Sequence, residues 1–299
     1  MTRSVGLGAL AVALAATGCF EARTFGDSTD AADAPLADGP AVDAVDAVDA
    51  PEVDAPTGRI DAAIDAPNPI DAPAGDPTLG RAPLPCAGLV TTDAFRAALP
   101  AGWTTLQYAP PTVTGNYPAA LCGTGADRRY GLGVSYSGPQ VPAGTQPAHS
   151  IYRTGLPNTF SLSYVVEEAD LGGDPEVGLV GAFVLALTTT PAVTYGGVYL
   201  AKLPDGRLAL RGGTEATPLG YDLAVIGALA PPYRVGLRIT SGAGQLAAEV
   251  TITTATGRAT YNGAVPAPAP PAGLEVQVGT NHYLPTGLSR FTLSELVLP

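Results

Sequence analysis

The chain has 299 residues, a formal net charge of −12 and a single lysine, Lys202. Because nucleic acid is a polyanion, this composition disfavours nucleic-acid binding, and the isolated pair Arg128-Arg129 does not form a basic patch. No stretch is apolar and uninterrupted enough to span a bilayer as a helix, which requires about 20 residues.

Residues 1–19 are the first predicted element. Arg3 supplies a short basic start, residues 5–17 are small and mostly apolar, and Gly18-Cys19 closes the run. The segment resembles a bacterial lipoprotein signal peptide over residues 1–18, whose cleavage would leave Cys19 lipidated at the new N-terminus. Ala16 stands where the usual motif has leucine, so an ordinary signal peptide that contains a cysteine is the alternative. The resemblance implies membrane attachment through lipid alone, at the outer membrane of a Gram-negative bacterium.

Residues 19–80, which begin at the predicted lipidated cysteine, are predicted to form a disordered Asp/Ala/Pro-rich linker. Residues 20–80 carry 14 acidic and 2 basic side chains, whereas residues 81–299 carry 13 acidic and 12 basic ones. The negative charge of the chain therefore resides in the linker. Few large apolar side chains, frequent prolines and like-charge repulsion favour an extended spacer.

Residues 81–299 read as one all-β domain. Apolar and polar side chains alternate in four segments, which are 160–166, 235–239, 246–252 and 274–278. This alternation is typical of antiparallel strands with one buried face, and it predicts an antiparallel β-sandwich. No segment shows the spacing of a convincing amphipathic helix.

Glycine-containing pairs and triplets mark the predicted turns between these strands. Pro204-Asp205-Gly206 predicts a hairpin, and Thr256-Gly257 and Asn262-Gly263 predict two further turns.

The order of these features resembles that of concanavalin A-like (laminin-G-like) domains. Thr92-Asp93-Ala94-Phe95 followed by Gly102-Trp103 is similar to the opening motif of that family, and residues 291–298 are similar to its closing strand. The resemblance implies a jelly-roll β-sandwich over residues 81–299. Tandem immunoglobulin-like domains are the structural alternative.

Cys86 and Cys122 remain once Cys19 is assigned to lipid. An even pair of cysteines in an exported protein favours a disulfide, and two free thiols are the alternative. Without paired Cys-x-x-Cys or Cys/His clusters, the sequence offers no zinc site of the usual kind.

The concanavalin A-like superfamily includes lectins, carbohydrate-binding modules and retaining glycoside hydrolases. The hydrolases need closely placed carboxylates on a strand, and Glu168 and Asp170 have the spacing of two of them. Gly173 stands where the third carboxylate is expected, which disfavours hydrolysis. No catalytic residue is therefore assigned.

The same acidic segment has a second interpretation. Glu168, Asp170 and Asp174 could supply oxygen ligands to calcium, and a solvated acidic turn is the alternative. No cofactor is otherwise required.

Asn281-His282-Tyr283 is the predicted ligand-binding segment, since sugar sites combine an aromatic face with amide or acidic groups. His149 and His282 are expected in loops or edge strands. The sequence thus predicts non-catalytic recognition of a polysaccharide or another envelope component, such as an envelope protein. A degenerate glycoside hydrolase and a structural surface domain that contacts proteins are the alternatives.

Overall fold

The computed structural model describes residues 74–141, 146–172, 178–188, 194–214, 217–270 and 273–298. Within these ranges two antiparallel β-sheets enclose one hydrophobic core, which confirms the predicted all-β sandwich. The predicted signal peptide, Cys19, Asp174 and nearly all of the predicted linker lie outside the described residues.

The described strands, in chain order, are β1 (Leu89–Val90), β2 (Thr104–Tyr108), β3 (Thr114–Asn116), β4 (Ala119–Cys122), β5 (Arg129–Ser137), β6 (Ala148–Leu156), β7 (Thr159–Asp170), β8 (Gly178–Thr188), β9 (Thr194–Lys202), β10 (Arg207–Thr214), β11 (Thr217–Ala228), β12 (Tyr233–Gly242), β13 (Gln245–Thr253), β14 (Arg258–Pro266), β15 (Leu274–Asn281) and β16 (Ser289–Val297). One α-helix, α1 (Thr92–Ala98), and two 3-10 helices, Pro77–Gly80 and Gly125–Asp127, complete the described elements.

The strand order shows one jelly-roll-type sandwich. The nine-stranded sheet runs β1-β4-β5-β16-β7-β12-β13-β14, with β3 paired to β5, and the seven-stranded sheet runs β11-β10-β9-β8-β15-β6-β2. The last two strands of the chain lie inside the sheets, β15 between β8 and β6, and β16 between β5 and β7. Because strands distant in sequence are neighbours, the tandem-domain alternative does not describe this fold.

The alternating segments place their apolar side chains in the core as predicted. In β12, for example, Val235, Leu237 and Ile239 are buried, whereas Arg238 and Thr240 are exposed. Complete burial of one aliphatic side chain contributes about 1.5 to 3 kcal/mol. Strands β7, β13 and β15 repeat this pattern against the same core.

Two of the three predicted turns are confirmed and one is wrong. Leu203 and Arg207 close the predicted hairpin with a backbone hydrogen bond of 2.8 Å, and Thr254 donates to the carbonyl of Gly257 at 2.8 Å. Asn262-Gly263 instead lies within β14, paired with β13. At Gly263 a Cβ atom would lie 2.7 Å from Leu223 Cδ1, so glycine there serves close packing and not a turn.

The short helix α1 was not anticipated. Thr91 caps its N-terminus by accepting a hydrogen bond from the Ala94 N–H, and Phe95 is fully buried against the core. With seven residues and one buried anchor, α1 is too short to show helical periodicity in the sequence. No helix in the described part of the chain is long and apolar enough to cross a membrane.

An entry segment, residues 74–90, crosses the nine-stranded sheet on the face opposite the core. The Asp76 N–H donates to Thr254 O at the end of β13, and Leu79 is only 3% exposed. Farther along, Arg81 pairs with Glu167 of β7, and β1 pairs with β4. Residues before Arg81 therefore already contact the sandwich.

The predicted disulfide between Cys86 and Cys122 is confirmed. It joins the entry segment to the end of β4, with 5.6 Å between the two Cα atoms. The covalent link and the Arg81–Glu167 ion pair attach the same segment at two separate points.

Candidate functional site

Seven side chains form a row across the seven-stranded sheet, one from each strand. Backbone pairing places Thr104 beside Tyr152, then Gln277, Phe183, Tyr199, Arg211 and Asp222. Residues paired in register project on the same side of a sheet. We call this set the outer row.

The outer row lies on the face away from the core. In β15 the neighbours of Gln277 along the strand, Val276 and Val278, are both fully buried in the core. Since side chains alternate along a strand, Gln277 and its lateral neighbours project to the opposite side. This face therefore combines aromatic rings, an amide and charged groups where polar solvent-facing residues are expected.

The aromatic centre of the outer row is held close to the sheet. Phe183 and Tyr199 meet edge to face with 5.9 Å between ring centroids. At Gly197 a Cβ atom would lie 2.7 Å from the Phe183 ring, and at Gly220 a Cβ atom would collide with the Tyr199 hydroxyl. Because both positions are glycine, the Phe183 and Tyr199 rings can pack directly against the backbone of the neighbouring strands.

Asp222 and Gly220 help to anchor Arg211. Its Nε donates to Asp222 Oδ1 at 2.7 Å, and an Nη donates to the Gly220 carbonyl at 3.2 Å. The pKa of Tyr199 is raised, chiefly because burial disfavours the phenolate. The guanidinium is thus fixed beside the aromatic pair, with its charge balanced by Asp222.

Glu275 lies next to the outer row, two residues before Gln277 on β15. The Gln277 amide donates to Glu275 Oε1 at 2.7 Å, and Ser150 Oγ lies 3.5 Å from Gln277 Oε1. Burial raises the pKa of Glu275, although the Gln277 hydrogen bond opposes this. Burial and the nearby Glu275 carboxylate raise the pKa of Tyr152. Tyr152 and Gln277 are largely buried by their neighbours, at 8% and 9% exposed. Perturbed carboxyl and phenol groups that lie together on one sheet face are a common feature of functional sites.

The predicted ligand segment 281–283 is engaged in internal contacts. The Asn281 Oδ1 accepts from the Leu179 N–H at 2.8 Å, and the Tyr283 carbonyl accepts from the Tyr136 hydroxyl at 2.7 Å. His282 is fully buried, with Nδ1 2.7 Å from Ser289 Oγ and Nε2 2.9 Å from the Thr286 carbonyl. These contacts connect the segment to the fold, and the structure does not bring it to the outer row.

The predicted metal residues are only partly described. Glu168 Oε2 accepts from Thr292 Oγ1 at 3.0 Å, and Asp170 Oδ1 accepts from the Gly172 N–H at 2.9 Å. Asp174 lies outside the described residues. Among the residues that the structure describes, no group of three or more His, Cys, Asp or Glu side chains could hold a metal ion. Calcium binding by this segment stays a prediction.

Glu168 and Asp170 belong to β7 of the nine-stranded sheet. The outer row lies on the seven-stranded sheet. The two carboxylates that the sequence offered for hydrolysis are therefore not part of this candidate site.

Both histidines are buried. His282 lies in the loop between β15 and β16, as expected, but the expectation of a loop or edge strand is wrong for His149. His149 lies in β6, an interior strand, and its Nδ1–H donates to the Gly133 carbonyl of the opposite sheet at 2.9 Å. Burial lowers the pKa of His149 to about 4, although the hydrogen bond to the Gly133 carbonyl opposes this. The ring is neutral at physiological pH and joins the two sheets.

His149 is expected to make the fold acid-sensitive. Its folded pKa of about 4 lies below the ordinary value of 6.5, so the folded state binds fewer protons than the unfolded state between these values. Stability is therefore complete above pH 6.5 and falls with pH, by about 2 kcal/mol from this group at pH 5. Urea unfolding at pH 8 and pH 5 measures the loss.

A His149→Gln variant is the control, because it lacks this titration whatever its absolute stability. The loss between pH 8 and pH 5 should shrink by about 2 kcal/mol in the variant. An equal loss in both proteins would contradict the assignment.

No protein-family model matches the chain, and no curated protein matches it. Solved structures similar to it include an alginate lyase from Klebsiella pneumoniae, with 12% identity over 60% of this chain and 83% of that chain and a TM-score of 0.37. An alginate lyase from a Chlorella virus shares 8% identity over 71% of this chain and 98% of that chain, with a TM-score of 0.42. A Saccharomyces cerevisiae protein of unknown function shares 12% identity over 66% of this chain and 96% of that chain, with a TM-score of 0.36. At these identities the similarity concerns the fold alone.

The outer row was missed in the sequence because its members are far apart along the chain. Its residues span positions 104 to 277, and each occupies one outward position on a different strand. The one available signal is the pattern of glycines at 197 and 220 near aromatic residues, which marks close approach.

Proposed function

We propose that this protein recognises a polysaccharide without cleaving it, and that the outer row is the binding surface. The observation that carries the proposal is the row itself, in which aromatic, amide and guanidinium side chains lie in register across every strand of one sheet. Carbohydrate sites use aromatic faces for the apolar side of a sugar ring and a few placed polar groups for its hydroxyls.

The dimensions of the outer row suit an extended polymer. Seven strands at their usual separation span about 29 Å from the first to the last. The row begins on the edge strand β2 and ends on the edge strand β11. A linear chain could therefore lie across the strands and continue past both edges, which favours recognition of internal segments.

Lipid anchoring through Cys19 is part of the proposal. The entry segment lies on the nine-stranded sheet, and the outer row lies on the other sheet, so the described start of the chain does not cover the binding surface. The predicted linker and anchor would then display that surface at the cell envelope. Membrane fractionation of a Cys19→Ser variant tests the anchor, since loss of the lipid should release the protein.

Arg211→Ala should weaken polysaccharide binding by tenfold or more, because a fixed donor next to the aromatic pair is removed. The purified full chain is tested by affinity electrophoresis in gels containing pullulan, xylan, galactomannan, alginate or polygalacturonate. Asp222, the partner left behind, is exposed, so the fold should tolerate the change.

Arg238→Ala is the matched control. Arg238 is an exposed arginine on the nine-stranded sheet, where it lines a shallow depression of about 500 Å³ with Glu249 and Asn262. Its removal should leave binding unchanged. Loss of binding in Arg238→Ala but not in Arg211→Ala would place the binding site on the nine-stranded sheet and contradict the proposal. Shortening of a bound polysaccharide would favour the hydrolase alternative, and no binding at all would favour the structural one.

A further inference from the structure

No cation among the described residues pairs with the Glu275 carboxyl group. Its one hydrogen bond within the described residues comes from the neutral Gln277 amide. The segments missing from the description between residues 74 and 299 contain no lysine, arginine or histidine. A balancing cation therefore cannot come from those segments.

The arginines of α1 and β6 have contacts with other groups. On the α1 side, Arg96 lies 3.6 Å from Asp93 and donates to Thr105. On β6, the Arg153 guanidinium lies against Gly102.

The residue paired with Glu275 in the sheet provides no charge, since it is Leu185 of β8. On the β6 side the register shifts between Leu274 and Val276, and Tyr152 lies beside Gln277. Burial and the Glu275 carboxylate raise the pKa of Tyr152, and the charge of Arg96 opposes this. Farther along the row, Arg211 is already paired with Asp222. Among the described residues in and beside the outer row, Glu275 is thus the ionisable acid without a cationic partner.

We infer that the outer row selects a neutral polysaccharide and rejects polyuronates, with Glu275 as the specificity-determining residue. This inference rests on the proposed function. Sugar hydroxyls donate to a carboxylate in charge-assisted hydrogen bonds, which are shorter and stronger than neutral ones. A uronate carboxylate at the same place would face a like charge in a partly desolvated site, which is unfavourable.

A half-buried carboxylate without a cation also has a cost for the fold. Burial raises the pKa of Glu275, so the folded state disfavours its ionised form. The folded state then binds the proton more tightly than the unfolded state, and this group contributes less to stability as pH rises.

Glu275→Gln tests the inference, since glutamine keeps the acceptor for the Gln277 amide and removes the charge. The full chain and the variant are titrated by calorimetry with pullulan, xylan and galactomannan as neutral probes, and with alginate and polygalacturonate as polyuronates. The wild type should bind a neutral probe and neither polyuronate. The variant should lose about tenfold in affinity for the neutral probe and gain measurable affinity for a polyuronate.

Glu249→Gln is the matched control, because Glu249 is an exposed glutamate on β13 of the other sheet. It should change neither affinity. Wild-type affinity for the neutral probe should fall as pH is lowered and Glu275 becomes protonated, whereas the affinity of Glu275→Gln should stay constant. Urea unfolding at pH 7 should show the variant to be at least as stable as the wild type.

The outcomes separate the two claims. A wild type that binds a polyuronate at least as tightly as every neutral probe overturns the inference and leaves the proposed function standing. The same holds if Glu275→Gln leaves the ratio of the two affinities unchanged. Absence of binding to every probe refutes the proposed function itself, and the inference with it.

Discussion

Replacing Cys86 and Cys122 together by serine should lower the free energy of unfolding by about 3 to 4 kcal/mol. The disulfide closes a loop with a sequence separation of 36, which removes many conformations from the unfolded chain. It also connects the entry segment to β4, beside the short pairing of β1 with that strand. Urea unfolding of the double variant and the wild type at pH 7 measures the difference.

Reduction provides the control for this prediction. In dithiothreitol the wild type should unfold at nearly the same urea concentration as the Cys86→Ser/Cys122→Ser variant, because both then lack the link. The variant itself should not respond to the reductant. Equal stability of variant and oxidised wild type would show that the remaining contacts of the entry segment suffice without the covalent bond.

Arg81→Ala should lower the free energy of unfolding by about 3 kcal/mol. The Glu167 side chain is completely buried. Arg81 donates to both of its carboxylate oxygens, from Nη2 to Oε1 at 2.5 Å and from Nη1 to Oε2 at 2.7 Å. Burial opposes ionisation, but hydrogen bonds from Arg81, Ser294 and the Leu84 N–H outweigh it and lower the pKa of Glu167. Removing Arg81 leaves a buried carboxylate without its cation, which urea unfolding at pH 7 should detect.

Two further variants isolate the cause. Arg207→Ala removes a similarly short ion pair to Asp205 at 2.6 Å, but both of those side chains are about half exposed, so the loss of stability should be much smaller than in Arg81→Ala. Adding Glu167→Gln to Arg81→Ala should recover part of the lost stability, since the buried charge is gone. The Arg81→Ala deficit should also shrink as pH falls and Glu167 is protonated. Equal effects of Arg81→Ala and Arg207→Ala would contradict a role for burial.

Much of the fold was predictable because it depends on local patterns. The period of two in segments such as 235–239 reports which side chains face the core, and Pro204-Asp205-Gly206 reports a hairpin, since both are properties of neighbouring residues. The same local reasoning failed at Asn262-Gly263, where glycine is needed for the approach of Leu223 from another strand. A turn signal and a packing requirement select the same residue, and sequence does not distinguish them.

The candidate site was predicted less well for a related reason. Segment 281–283 has suitable residue types, yet burial and hydrogen bonds assign His282 to the interior. Glu275 and Gln277 looked like ordinary polar residues of an alternating strand. Only the lateral neighbours of Gln277, Tyr152 and Phe183, show that this position belongs to a row across the sheet. Residue type alone therefore does not show which polar and aromatic side chains lie side by side on one sheet face.

Composition and short-range periodicity were enough to predict the all-β class, to favour a disulfide between Cys86 and Cys122, and to assign the negative charge to residues 20–80. The order of the strands, the burial of both histidines and the alignment of the outer row became visible only in the folded chain. Register between strands arises from packing of whole sheets against a shared core, and a one-residue shift would turn every side chain to the other face.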